Sequence, residues 1–186
     1  MQTVYDWIII GAGAAGLFAA ARIGSSVAGT EEGTGSAAES AAAPNPFSPS
    51  VLVLERGTRA GRKILISGGG QCNFTHAECA ADMVKHYGDK KNFVRHAISR
   101  LDSDALIRYF EALGLPSAVR PDGKVFPATF VAEDLIEILL KTARQGGVRF
   151  EFNRYVEKIV PSASGGYEVI SGEHTYKAHN VLLACG

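Results

Sequence analysis

Cysteine is scarce in this chain: Cys72, Cys79 and Cys185 are the only three in 186 residues. So small and odd a number makes no disulfide framework, and a reducing, cytoplasmic setting is expected. Excess charge of one sign is lacking too, since 19 Lys and Arg balance 19 Asp and Glu. A neutral chain has no general attraction to phosphate backbones, so no nucleic-acid partner is expected. Long apolar runs are also missing; none approaches the ~20 residues of a membrane helix. The stretch Trp7 to Ile10 is short and is preceded by Asp6 rather than by a basic cluster, which speaks against a signal peptide. No membrane partner is expected either. What is present is 46% hydrophobic and 20% charged residues, the composition of a globular domain.

Val4 to Ile10 is a short apolar run with three consecutive isoleucines, as in a parallel strand covered on both faces. Gly11-Ala12-Gly13-Ala14-Ala15-Gly16 follows, then an Ala-rich helix over Leu17 to Ile23. Between Ser25 and Ser50, 18 of 26 residues are Ala, Ser, Gly or Pro, too little apolar surface to offset the entropy of ordering. That segment reads as a flexible insertion. Val51 to Leu54 resumes as a buried strand ending in Glu55-Arg56, and Gly57 to Thr75 reads as a glycine-rich loop. Two helices are expected between Asn92 and Leu113, the second capped by Ser103 and closed by Gly114. Pro121-Asp122-Gly123 reads as a turn into Lys124 to Pro127, and Val131 to Thr142 as an amphipathic helix stopped by Gly146-Gly147. Val148 to Phe152 is a further strand, Tyr155 to Ala178 a small antiparallel β-meander, and Val181 to Ala184 a last buried strand. Strands alternating with helices at both ends of the chain predict an open α/β fold with a parallel sheet.

The glycine turn gives that fold a chemistry. It lies between a buried strand and a helix, the context in which GxGxxG marks a dinucleotide site. Gly11 permits the tight turn, Gly13 lets backbone approach a pyrophosphate, and Gly16 lets the helix pack on the strand. Ala12, Ala14 and Ala15 complete the turn, and the helix N-terminus offers free N–H groups to an anion. Glu55, at the end of the second strand, suits the ribose hydroxyls and repels a 2′-phosphate, favouring FAD or NAD over NADP. It lies 39 residues beyond Gly16, where about 20 is usual. The insertion accounts for most of the excess, and a long surface loop costs little closure entropy.

The second glycine loop, Gly61 to Thr75 (GRKILISGGGQCNFT), is the most distinctive stretch. Its glycines free the backbone to present N–H groups, and Arg62 and Lys63 add positive charge suited to a diphosphate. With Ile8 to Leu17 (IIIGAGAAGL), Glu55-Arg56, Gly123 to Pro127 and Leu183 to Gly186, this loop resembles the FAD-dependent oxidoreductases grouped with aminoacetone oxidase and the bile-acid-pathway flavin reductases. The resemblance runs nearly end to end. It implies a Rossmann-like FAD/NAD(P)-binding domain over residues 1–186, with FAD held by Gly11 to Gly16, Glu55, Arg56, Arg62, Lys63, Ser67, Gly68, Gly69, Gly70, Cys72, Asn73, a backbone site at Val156, and the late turn at Cys185 and Gly186. Three positions depart from the family pattern: Gln71 stands where Arg is usual, His76 where Asn is usual, and Cys185 where Thr is usual. Family members continue past the late turn into a substrate-capping domain, so the chain reads as the N-terminal part of such a protein.

Cys72, His76, Cys79 and His86 form C-x3-H-x2-C-x6-H, which is not a common zinc spacing, and no metal is expected. Cys72 suits a small buried or flavin-adjacent thiol. Two functions stand open at this point. One is an FAD-dependent oxidoreductase acting on a small molecule, with NAD(P)H as a possible electron donor despite the absence of a second GxGxxG. The other is a non-catalytic module that only holds FAD or NAD.

Overall fold

In a computed structural model, residues 3–28, 49–163 and 165–186 are described here. The elements run β1 (Val4–Ile10), α1 (Ala14–Ala28), β2 (Val51–Leu54), α2 (Arg62–Ile66), β3 (Thr75–His76), α3 (Ala80–Lys85), α4 (Lys91–Arg100), α5 (Ser103–Ala112), β4 (Ser117–Val119), β5 (Lys124–Pro127), α6 (Ala132–Gln145), β6 (Arg149–Glu151), β7 (Lys158–Pro161), β8 (Tyr167–Ser171) and β9 (His174–Leu183). The chain divides into two compact units, one of Met1–Lys63 with Leu139–Gly186, the other Ile64–Ile138.

The first unit is built on a six-stranded sheet in the order β6-β2-β1-β9-β8-β7. Its first four strands are parallel, and β9, β8 and β7 form an antiparallel meander continuous with them. The apolar runs explain the interior places: Ile8, Ile9 and all four residues of β2 are fully buried, as strands covered on both faces must be. A face of small residues, Gly16, Ala20, Ala21 and Gly24, lets α1 come close to its neighbours. A Cβ at Gly146, past the end of α6, would strike the backbone of Gly24, so the two segments touch where neither has a side chain. Asp6 clamps the start of β2: its Oδ2 accepts from the Ser50 amide (2.7 Å) and hydroxyl (2.8 Å).

The second unit carries a three-stranded antiparallel sheet, β3-β5-β4, around Val125, Phe126 and Phe110. Phe74 and Phe110 meet edge-to-face with centroids 5.1 Å apart.

Several expectations shift in detail. The first helix begins at Ala14 and runs to Ala28, so the first four residues of the expected 25–50 insertion are helical. The rest of that segment, 29–48, lies outside the described residues. Gly57 to Thr75 is not all loop; it holds α2 and a 3-10 turn over Ser67–Gly70. The cap of α5 is Asp102, whose carboxylate accepts from the Ala105 amide at 2.8 Å. Ser103 is instead buried, its hydroxyl turned to Thr75 (2.9 Å) and the His76 carbonyl. The last strand is ten residues long and parallel to β1, but its end is not buried: Leu183 is 65% exposed.

Two outcomes test this packing. Gly146→Ala should lower unfolding free energy by about 1–3 kcal/mol, the cost of forcing atoms into a filled contact; an unchanged urea midpoint would refute the backbone approach. The hydrogen bonds from the Ser50 backbone and side chain hold the Asp6 carboxyl below its ordinary range, with His179 adding a smaller pull. A carboxyl depressed on folding contributes stability above its unfolded pKa of about 3.9 and loses it as pH falls through the folded value. The stability difference between wild type and Asp6→Asn should therefore be full at neutral pH and shrink below about pH 4. Denaturation series at pH 7 and pH 3 check it, and a pH-independent difference would rule it out.

Candidate functional site

The carboxyl ends of β6, β2, β1 and β9 gather most of the expected cofactor residues. From β1 the chain proceeds outward to β2 and β6, then returns to β9 on the opposite side of β1. Strand order thus reverses between β1 and β9, where ligands settle in open α/β sheets. The glycine turn occupies that point, and Ala184 follows β9 beside it, its amide donating to the Ile10 carbonyl at 2.8 Å.

The three glycines of the turn are there for different reasons. Gly11 has φ +102°, and a Cβ on it would lie 2.6 Å from the Ala184 carbonyl oxygen and 2.8 Å from Cys185 Cα. A Cβ on Gly16 would collide with the Gly11 carbonyl oxygen. Gly13 is unlike either: it lies outside the left-handed region and a Cβ there would meet nothing within 4 Å. The protein's own packing requires the first and third glycine and leaves open space at the second.

Glu55 is half-buried and tied to this turn. Its Oε2 accepts from the Ala12 amide and its Oε1 from the Gly57 amide, both at 2.7 Å. The Ala12 N–H is therefore spent on the carboxylate, and the amides of α1's first turn are left for an anion. Arg56, Arg62 and Lys63 are exposed, and Lys63 Nζ lies 3.3 Å from where a Gly186 Cβ would be. The long sequence separation does not keep Glu55 away from the glycines.

Val156 is half-buried against the cluster of Tyr5, Ile8, Leu52 and Leu54. It lies between β6 and β7 rather than within a strand, as its sequence setting had suggested. The segment before it is hooked onto the β2 end: Arg154 N–H donates to the Glu55 carbonyl (2.8 Å) and Asn153 N–H to the Gly57 carbonyl (3.0 Å). A side-chain cluster fixes the hook, with Arg154 Nε donating to Glu151 Oε2 (3.0 Å) and to the Tyr176 hydroxyl (2.9 Å), and Tyr176 donating to Glu151 (2.7 Å). Burial alone would raise the Glu151 carboxyl, but the bonds from Tyr176 and Arg154 outweigh it and hold that group below its ordinary range. Nothing in the sequence pairs Glu151 with Tyr176, 25 residues apart.

Ser67, Gly68, Gly69, Gly70, Cys72 and Asn73 lie in the second unit. Gly68, Gly69 and Gly70 have φ between +56° and +86°, and Cys72 joins them at +58°. A Cβ on Gly68 would lie 2.9 Å from the Asn73 amide nitrogen, whereas one on Gly69 would meet open space. Cys72 is buried, and burial pushes its thiol pKa up against the opposing pull of Ser67, which makes it a packed thiol and not a thiolate. The cysteine–histidine spacing gathers no ligand set: Cys79 donates to Asp82 (3.2 Å), while His86 pairs with Glu78 at 2.9 Å. Among the described residues no three such side chains are placed to hold a metal. A cavity of about 480 Å³ in this unit is lined by His76, Glu78, Met83, Tyr87 and others, and by none of the residues expected at the cofactor.

Among the described residues no helix is long and apolar enough to cross a membrane. Comparison with known proteins gives a consistent result. The chain is 31% identical over its whole length to the ribosomal RNA dihydrouridine synthase of Haemophilus influenzae, of which it covers 41%. It is 29% identical over 153 residues, 82% of the chain, to the 3-dehydro-bile acid delta(4,6)-reductase of Clostridium scindens, covering 36% of that protein. The chain thus spans about two fifths of the curated relatives it matches. Among solved structures, the 3-ketosteroid-delta4-(5alpha)-dehydrogenase of Rhodococcus jostii superposes with a TM-score of 0.61 at 15% identity, covering 98% of this chain and 46% of that one. Glycine oxidase from Geobacillus kaustophilus gives 0.50 at 18% identity, covering 100% of this chain and 56% of that one. These likenesses show the Rossmann-like fold, a mixed sheet with parallel strands and a small antiparallel part. Residues 32–186 match the family described as the HI0933-like protein Rossmann domain, and the chain belongs to that family.

Proposed function

We propose that residues 1–186 form the FAD-binding part of an FAD-dependent oxidoreductase that acts on a small molecule in the cytoplasm. The observation that carries this reading is Gly13. Its neighbours in the motif are glycine because protein atoms fill the space beside them, while beside Gly13 the space is empty. A residue kept free of a side chain next to open space, at a helix N-terminus, fits the close approach of a pyrophosphate. The Glu55 carboxylate keeps acceptor capacity beyond its two amide bonds and would take the ribose hydroxyls. The amides of Gly13 to Gly16 would take the pyrophosphate, with Arg62 and Lys63 as candidate charge partners. The segment at Val156 would offer backbone to the adenine. Bound FAD supplies hydride chemistry at its isoalloxazine, and the protein's part is binding and orientation. The roles implied by the resemblance for Ser67 to Asn73 and for Cys185-Gly186 belong to the same proposal. NAD(P)H as the electron donor rests on the resemblance alone.

Two of the relatives are named for ribosomal RNA. The balanced charge of this chain favours a small substrate over a phosphate-rich polymer. Binding of the purified chain to ribosomal RNA at physiological salt that a generic polyanion such as heparin does not displace would favour the other reading of a nucleic-acid partner.

The cofactor reading is tested by calorimetric titration with FAD, NAD and ADP, in which FAD should bind most tightly. Gly13→Ala should leave the chain as stable or up to ~1 kcal/mol more stable, because alanine at an ordinary φ reduces unfolded-state entropy, while FAD affinity drops at least tenfold. Gly16→Ala should instead destabilise the ligand-free chain by about 1–3 kcal/mol. Unchanged FAD affinity in Gly13→Ala would remove the basis of the proposal. Glu55→Ala strands the amides of Ala12 and Gly57, so unfolding free energy should fall by about 1–3 kcal/mol without ligand, and FAD affinity should weaken as well. A variant that loses stability but keeps full FAD affinity would make Glu55 a purely structural tie.

A further inference from the structure

We propose that Arg120, set beside the second glycine loop, forms a binding site for a planar carboxylate. The site lies wholly within the second unit and does not depend on the cofactor reading. Arg120 stands just ahead of the Pro121-Asp122-Gly123 turn, between β4 and β5, and its guanidinium is fixed from three sides. Its Nη2 donates to Gln71 Oε1 in the residue that follows Gly70. Its carbon Cζ lies 4.3 Å from the centroid of Phe126 and 5.2 Å from that of Phe130. Phe126 in turn sits against the loop, its Cε1 3.1 Å from where a Gly68 Cβ would be. The glycine loop, Phe126, the guanidinium and Phe130 are thus stacked in one connected arrangement.

Arg120 sets a cation beside Gln71 from the neighbouring hairpin, and the glutamine oxygen anchors it. One of five guanidinium N–H donors is spent on Gln71, and the side chain is exposed, so a forked set of donors is presented outward. Gln71, having given its oxygen to Arg120, keeps its amide NH2 to donate to the same anion. A planar fork matches the two oxygens of a carboxylate, and pre-organisation by stacking reduces the entropy lost on binding. Phe130 is 38% exposed and is held with φ +55°, a backbone region bulky residues avoid; its ring offers a flat apolar surface beside the charge. Lys124, across the same hairpin, adds no net charge, because it is paired with Asp122 at 2.6 Å. A single positive charge against an aromatic face suits a monoanionic carboxylate on an unsaturated or aromatic body better than a dianionic phosphate.

The test uses isotope-labelled, FAD-free chain titrated with benzoate, following the Arg120 Nε–H and Gln71 side-chain amide signals by NMR. Both signals should shift saturably. Arg120→Met should weaken benzoate at least tenfold, as loss of a charge-assisted hydrogen bond does. Arg120→Lys, which keeps the charge and disturbs the fold least, should also weaken it several-fold because the fork is lost. Inorganic phosphate should bind more weakly than benzoate. The proposal is overturned if wild type shows no saturable shift, if Arg120→Lys and Arg120→Met bind benzoate as wild type does, or if phosphate is the tighter ligand. In that last case Arg120 serves a phosphate and the carboxylate assignment fails.

Discussion

At the head of the parallel strands, three stretches of backbone come together with no room for side chains between them. Gly11 lies against the Ala184 carbonyl and Cys185, and Gly16 against the carbonyl of Gly11. This approach sets how close α1 comes to the sheet. It also fixes the turn after β9 against the turn after β1, and thereby the strand-order reversal that makes a crevice possible. Glu55 then closes the arrangement from the β2 side by accepting from Ala12 and Gly57. Each further part refers to these atoms: the Asn153–Arg154 hook bonds to the carbonyls of Gly57 and Glu55, and the Glu151–Arg154–Tyr176 cluster holds the hook. A substitution at Gly11 or Gly16 therefore disturbs fold and site together.

Much of this was legible in the sequence because it is written in local patterns. Three isoleucines before a glycine turn, and Val51 to Leu54 before an acid, identify buried strands whatever lies between them, and both are buried as expected. The meander around Gly165-Gly166 and Gly172 was legible for the same reason: glycines at positive φ punctuate short alternating strands. What could not be read is what depends on distant partners. Ser103 looked like a helix cap because serine is a good one, yet Asp102 takes that role and frees Ser103 to pair with Thr75 and His76. The Asp6–Ser50 clamp joins residues 44 apart, and the Arg120–Gln71 contact residues 49 apart. Polar side chains of these types occur everywhere on a surface, so no spacing announces them.

The site residues divide along the same line. The motif glycines and Glu55 were singled out from sequence, and the first unit brings them together although Glu55 lies 39 residues beyond Gly16, since the ends of adjacent parallel strands are close in space whatever their separation in sequence. The motif already assigns its three glycines different tasks, and the structure adds what fills the space beside each: backbone atoms at Gly11 and Gly16, nothing at Gly13. Val156 was expected within a strand and lies between β6 and β7, because an apolar residue between two strands has the composition of either.

Fold and family leave substrate open, and the curated relatives make the point. Proteins named for a bile-acid derivative and for ribosomal RNA match the same region of this chain at 28 to 31% identity. A domain shared by such different substrates cannot owe its common residues to any of them; what they share must answer to the fold and to whatever all of them hold. In this chain Gly11 and Gly16 answer to packing, and the space beside Gly13 is open. Substrate preference has to be sought where this chain departs from the family pattern. Gln71 is such a departure, and its side-chain oxygen anchors the Arg120 guanidinium. The rings of Phe126 and Phe130 hold the same guanidinium from the hairpin side, so loop and hairpin are tied together through one exposed charge.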